Sequence, residues 1–363
     1  MSWILTFIGF AVLIVLHEFG HFAVAKAVGM RVEKFSLFFG PMLVKFRRGE
    51  TEYGIGVIPL GGYVKISGMN PHEELPPEVA PRAYYRQKPW KRIVVILAGP
   101  AMNLLIAFVI LLCLFVFKGV LTAQPVVASV MPKSAAAEVL RQGDRIVAVD
   151  GVRGNPEALR SQIATHRCAG AQRDGCRAAT PARITFVRDG RTLSATAYPH
   201  YSTDDPKDPR PILGLAFGGR YEPEGVVDGA GDSVTGMWRV TKLTVSRISQ
   251  IVVSEKARKD VSSVVGGYEA TRQTFKEDDY VRAFELLALI SLSLAIINLF
   301  PFLPLDGGHV FWAVAEKVRG RPIPFAVLER AGMIGFVLII GLFMVGLLND
   351  IDRLRGEGFN PNR

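Results

Sequence analysis

Cysteine is scarce in this chain: three among 363 residues, at positions 113, 168 and 176. None falls in metal-ligand spacing, which argues against a zinc ribbon or a disulfide-dense scaffold. Acid is the minority charge, with 33 Asp and Glu against 43 Lys and Arg, so the net charge is +10. Such an excess invites a nucleic-acid reading. Yet the chain has no basic stripe with interleaved aromatics and no nucleic-acid motif, so no nucleic-acid partner is expected. Its Lys and Arg gather between apolar runs, as in the cytoplasmic loops of a membrane protein. Charge as a whole is thin, 21% against 49% hydrophobic residues, and the apolar content is segregated into blocks.

Four of those blocks suit membrane-crossing helices: one within 1–30, a second over 93–118, a third over 283–308 and a fourth over 331–349. Ala23-Val24-Ala25 mimics a signal-peptide cleavage site. But no basic residue precedes the first run, so an uncleaved span is expected.

The first run ends in His17-Glu18-Phe19-Gly20-His21. Histidines four apart share a helix face and can reach one metal ion. Glu18 beside them can take a proton from the attacking water without being a ligand. An ionisable trio in a membrane-type segment is costly, and so marks a functional site. A third ligand is needed. Asp306 is the candidate, in Pro301-Phe302-Leu303-Pro304-Leu305-Asp306-Gly307-Gly308 at the end of the third block. The prolines must bend the chain there, and the glycines let backbones approach. The other role open to Asp306 is as cap of a helix beginning near His309.

Residues 31–92 read as a β-hairpin and loop on the cytoplasmic side. Strands at Leu43–Arg47 and Thr51–Ile58 flank Arg48-Gly49-Glu50, and Pro59, Gly61 and Gly62 then break the second strand. Tyr53, Ile55 and Val57 alternate with Gly54 and Gly56, ahead of Ile58. Periodicity alone fits equally an ordinary small sheet and an open edge at Tyr53–Ile58 for a substrate strand to join. Asn103, deep in the second block, either bonds a neighbouring helix or faces the site.

Residues 124–200 change character to soluble α+β. Strand Val126–Val130, the turn Pro132–Ala137, strand Arg145–Val149 with Asp150-Gly151, and a hairpin over 181–197 around Asp189-Gly190 follow one another. An insertion between Gln162 and Pro181 carries Cys168 and Cys176, close enough to bridge. Residues 201–282 form a linker containing an amphipathic stripe, Val234, Trp238, Thr241, Val245, Ile248 and Val252, suited to the membrane interface or to the core. A basic loop, 309–330, and a tail, 350–363, complete the chain.

The paired motifs on separated spans resemble the site-2 protease family of intramembrane zinc metalloproteases, nearest to bacterial members with four spans and a single PDZ domain. Gly54–Lys65 and Gly99-Pro100-x-x-Asn103 also resemble that family. The segment 124–200 resembles a bacterial PDZ domain, which implies peptide binding by strand addition. The resemblance implies one Zn2+ held by His17, His21 and Asp306, with Glu18 as general base. It also implies that Asn298 and Asn103 hold substrate or the oxyanion. The substrates it implies are membrane-anchored segments such as anti-sigma factors or signal-peptide remnants.

The expected fold is therefore a polytopic α-helical membrane protein of four transmembrane helices, with a membrane-associated β-hairpin and an inserted extracytoplasmic PDZ domain. Basic loops at 26–92 and 309–330 put both half-sites near the cytoplasmic face of a bacterial inner membrane. A substrate helix must unwind before hydrolysis, and the freed backbone groups need partners, which favours the edge reading of Tyr53–Ile58. A rival reading is a non-catalytic membrane adaptor using only its PDZ domain, and Glu18 argues against it. A metal transporter lacks its expected internal repeat.

Overall fold

The computed structural model describes every residue except 71, 205–207, 252–253, 255–257, 259–260, 278 and 356–363; for 59 and 60 only the backbone is described. Val252, the last member of the amphipathic stripe, lies outside the described residues. Two compact units emerge, one of residues 1–116 and 225–363, the other of Phe117–Glu224.

Four helices of the first unit are long and apolar enough to cross a membrane. They are α1 (Ser2–Ala27), α2 (Pro89–Cys113, its apolar run continuing to Lys118), α6 (Tyr280–Asn298) and α8 (Phe325–Arg355). Between them come α4 (Val226–Ile251), α5 (Val264–Lys276) and α7 (Asp306–Arg319). Helices suit these segments because a chain in hydrocarbon must bond its own backbone groups. The bare faces of α8, with Met333, Ile334, Phe336 and Val337 all exposed, match an apolar solvent rather than water. The third span ends as helix at Asn298, short of the expected 308. Asp306 instead opens α7, after a loop carrying Pro301 and Pro304. The fourth helix runs past the expected boundary at 349, to Arg355.

The β segment departs most from the expectation. β1 (Val32–Arg48) and β2 (Thr51–Ile66) are longer than predicted, and each doubles back. Phe38, Gly40 and Gly61 take positive φ (73°, 87° and 137°), a region that reverses the chain. Residues 52–55 of β2 consequently pair twice with β1. Tyr53 opposes Phe46 and also Phe35; Ile55 opposes Val44 and also Leu37. Residues 59–61 do interrupt the pairing, but the chain re-enters the sheet at Gly62 opposite Leu37, with Val64 opposite Phe35 and Ile66 opposite Val32. Tyr53–Ile55 is thus interior to its sheet and not an edge.

A buried cluster of Ala25, Met30, Val32, Ile66, Tyr84, Val95 and Ile96 joins α1, both strands and α2. A second, Ala107, Leu292 and Ile296, joins α2 to α6, with Met237 and Val240 of α4 packed on it. The inward face of α4 therefore runs through Gly229, Ser233, Met237 and Val240. Three members of the expected stripe, Val234, Trp238 and Val245, are exposed, which excludes the core reading of that stripe and leaves the interface one open.

The second unit is α+β. Its five-stranded sheet has the order β6-β5-β4-β3-β9. The strands are β3 (Val120–Val130), β4 (Arg145–Val149), β5 (Ala182–Arg188), β6 (Arg191–Ala197) and β9 (Leu215–Glu222). The expected hairpin forms, turning through Asp189 and Gly190 at φ 50° and 75° as a tight two-residue loop requires. Helix α3 (Pro156–Ile163), capped by Asn155, buries Leu159 and Ile163 in the core. The unit reaches Glu224 rather than stopping at 200, because Leu213, Leu215 and Phe217 complete its apolar core. Cys168 and Cys176 are bridged, with Cα atoms 6.2 Å apart. A short pair, β7 (His200–Ser202) and β8 (Arg210–Ile212), lies before β9.

Candidate metal centre

α1 and α7 bring three donors together. The Nε2 atoms of His17 and His21 lie 3.5 and 3.4 Å from one oxygen, Asp306 Oδ2. That oxygen is buried and without a hydrogen-bond partner. A carboxylate oxygen desolvated and left unpaired is expensive, and a cation among the three donors removes the cost. The three side chains are the group of His, Cys, Asp and Glu among the described residues whose donor atoms, within 4.8 Å of one another, could hold a metal ion. Two imidazoles and one carboxylate form a three-donor set of the kind that suits a catalytic zinc ion.

Asp306 occupies the first turn of α7 without capping it; no side-chain cap bond forms at that terminus. Its loop folds back tightly. A Cβ at Gly307 would overlap the Leu299 and Phe300 carbonyls, and one at Gly308 would overlap Leu303. These glycines therefore let the aspartate approach the histidines. Glu18 lies on the same helix as the histidines. A Cβ at Gly62 would stand 2.7 Å from its Cγ, so β2 passes close against this side chain.

Helix α2 supplies no member of the trio but touches all of its surroundings. His21 Nδ1 is 2.9 Å from the Val95 carbonyl oxygen. Asn103 Nδ2 is 3.0 Å from His17 Nδ1. Gly99 has no space for a side chain, since a Cβ there would overlap His21 Nε2. Arg92 pairs with Glu316 of α7, the helix that Asp306 begins. Positions 92, 95, 99 and 103 recur at steps of three and four, so they form one helix face. That stripe was present in the sequence, but Val95 acts through its carbonyl and Arg92 through a distant partner, which the residue types do not announce.

Asn103, which the resemblance makes a residue holding substrate or the oxyanion, is fully buried with its amide on His17. Asn298 is partly exposed at the end of α6, with no hydrogen-bond partner among the described residues. The glycines of the supposed edge strand are filled from within. A Cβ at Gly54 would meet the Val44 carbonyl oxygen at 2.6 Å, and one at Gly56 the Phe38 carbonyl oxygen at 2.6 Å. Tyr53 stacks with Phe46, while Ile55, Val57 and Ile58 are exposed. Substrate therefore cannot add at Tyr53–Ile55, because β1 already occupies both sides.

The far end of α1 is fixed by charge. Arg82 donates to both carboxylate oxygens of Glu50, at 2.7 and 2.8 Å, and to the Gly29 carbonyl at 3.1 Å. Lys26 pairs with Glu50 at 3.1 Å. The hydrogen bonds from Arg82, with help from Lys26, hold the Glu50 carboxyl at about 2. Glu50 sits in the turn between β1 and β2, so this contact pins the sheet to the helix that carries the histidines.

The profile of peptidase family M50 matches residues 5–342. The zinc metalloprotease Rip1 of Mycolicibacterium smegmatis is 30% identical over 392 residues, covering 93% of this chain and 94% of the relative. Rip1 of Mycobacterium bovis is 29% identical over 384 residues, covering 93% and 94%.

Proposed function

The chain belongs to peptidase family M50, the site-2 proteases, and from that premise we propose that His17, His21 and Asp306 hold its zinc ion while Glu18 serves as general base. It is a multi-pass membrane zinc metalloendopeptidase. The observation that carries the site assignment is the convergence of both Nε2 atoms on a buried, unpaired Asp306 oxygen. Held by these three residues, a zinc ion would supply Lewis-acid polarisation of the scissile carbonyl and would acidify the attacking water. Glu18 takes the proton of the attacking water and returns it to the leaving amine.

The finer reading is hydrolysis within or beside the transmembrane segment of a membrane-anchored protein. The placement of His17 and His21 on the apolar span α1 supports it, since the bond cut must come to them. Residues 62–66, beside Glu18, pair with β1 residues 32–37 and are the stretch of the sheet suited to guide an unwound substrate. The partly exposed amide of Asn298 is free to meet it. Basic loops at 26–92 and 309–330 favour a site near the cytoplasmic face. The unit 117–224 is read as a PDZ domain on the opposite side. Its terminal strand β9 faces the helix α3, whose Arg160 lies 5.3 Å over the Phe217 ring.

The test is metal content. Purified in detergent, wild-type protein and Glu18→Gln should each carry close to one zinc. His17→Ala, His21→Ala and Asp306→Ala should each bind it at least tenfold more weakly. Full zinc in all three folded alanine variants would move the site elsewhere.

A further inference from the structure

We infer that Asn103 is a positioning residue for His17, holding the imidazole in the tautomer that presents Nε2 to zinc; this rests on the metal site proposed above. Each ligating histidine needs its Nε2 lone pair free, so its proton must sit on Nδ1 and meet an acceptor. His21 satisfies this with the Val95 carbonyl, which can only accept. His17 has no carbonyl at its Nδ1. Its neighbour is the Asn103 amide, fully buried and 3.0 Å away.

As placed, that amide turns Nδ2 toward His17 and leaves Oδ1 buried without a partner. This arrangement suits the opposite tautomer, with the His17 proton on Nε2 facing Asp306. An ion among the three donors forbids that proton. Rotating the amide by about 180° exchanges Oδ1 with Nδ2 at almost no steric cost, because the two are nearly the same size. Oδ1 then accepts the His17 Nδ1–H, and the orphan oxygen gains a donor. The Nδ2 group takes over the unpaired position, so the rotation is favoured only when the cation strengthens the new bond. A hydrogen bond from a cation-bound imidazole is charge-assisted and stronger than a neutral one. The orientation of the Asn103 amide is thereby coupled to occupancy of the metal site.

The backbone is set for this role. Ser291 of α6 donates to the Asn103 carbonyl at 2.9 Å, locking α2 to α6 at this level. The side chain is thus free to serve His17 alone, and substitutions there leave the Ser291 bond in place.

The full-length protein in detergent supplies the test, through zinc affinity by chelator competition and the visible absorption of the Co2+-loaded protein. Asn103→Leu removes the acceptor. It should weaken zinc binding by about 10- to 100-fold and shift the cobalt bands. Asn103→Asp keeps an acceptor toward Nδ1 and should bind zinc as tightly as wild type or more so. Asn103→Ala replaces the leucine variant if that one does not fold. Wild-type zinc affinity with unchanged cobalt bands in the variant lacking an acceptor would overturn the proposal. So would equal loss in that variant and Asn103→Asp, which would mean packing rather than an acceptor matters. A His17→Ala protein with undiminished zinc affinity would instead sink the metal site itself.

Discussion

Gly99 lies where any side chain would overlap the Nε2 of His21, and its Cβ would also stand 2.8 Å from His17 Cε1. The glycine is part of the metal centre although it offers no donor. Gly99→Ala should therefore displace an imidazole and weaken zinc binding by about 10-fold or more, the scale of losing an orienting contact. Gly341→Ala on α8, where a Cβ meets open space, is the control and should keep full zinc. Elemental analysis of the desalted proteins checks both. Full zinc in Gly99→Ala would mean that α1 and α2 do not pack this closely.

The Glu50–Arg82 contact predicts a pH dependence. Arg82 and Lys26 depress the Glu50 carboxyl from 4.5 to about 2. A depressed folded value contributes stability above the unfolded value, and loses it as pH falls from about 4.5 toward 2. Arg82 is 42% exposed, so solvent screening limits the contribution to ~1 kcal/mol. Glu50→Gln should lower the melting temperature slightly at pH 7 and hardly at all near pH 2. An equal loss at both values would show that the charge of Glu50 contributes nothing.

Asp350 predicts a larger effect. It is fully buried on α8 and accepts from Ser262 Oγ, Ser263 N, Ser263 Oγ and Gly266 N at 2.6–3.0 Å. The carboxylate thereby caps the start of α5. Asp350→Ala leaves these donors without their acceptor and should cost ~2–4 kcal/mol. Hydrogen exchange should rise in residues 262–268 before the rest of the helix. Unchanged protection there would contradict the role.

The Cys168–Cys176 bridge closes a short loop and should contribute ~2–3 kcal/mol to its unit. Alkylation of denatured, non-reduced protein should label Cys113 alone. Labelling at all three positions would show the bridge absent from the protein.

The spans were legible because long apolar runs have few other folds open to them. His17, His21 and Asp306 were legible because their types and places allow little else. Much of what surrounds them was not. The alternation of Tyr53–Ile58 fits a packed sheet and an open edge equally, and the needs of an unwound substrate favour the edge, but the reversals at Phe38 and Gly61 decide its neighbours, and a positive φ at phenylalanine has no sequence signal. Val234, Trp238 and Val245 read as a stripe for the core or the membrane interface, and their exposure excludes only the core. Gly229, Ser233, Met237 and Val240, an equally regular row, carry the packing instead. Small residues that pack closely are invisible to a search for apolar periodicity. Asp350 looked like the start of a tail because its partners lie more than 80 residues earlier. Asn103 stands out in the sequence as a polar residue deep in a span, but only the fold shows that its amide meets a histidine.

The central claim is that Glu18 moves the proton in peptide hydrolysis at a zinc site made by His17, His21 and Asp306. The most direct measurement is single-turnover cleavage of a transmembrane peptide in liposomes by zinc-loaded wild-type and Glu18→Gln protein, with the products located by mass spectrometry. The amide is nearly isosteric with the carboxylate but cannot accept the proton. The account predicts that Glu18→Gln retains one zinc, binds the peptide and cuts at least about 100-fold more slowly, the usual share of a general base. Cleavage at the wild-type rate by the zinc-loaded Glu18→Gln protein would contradict it.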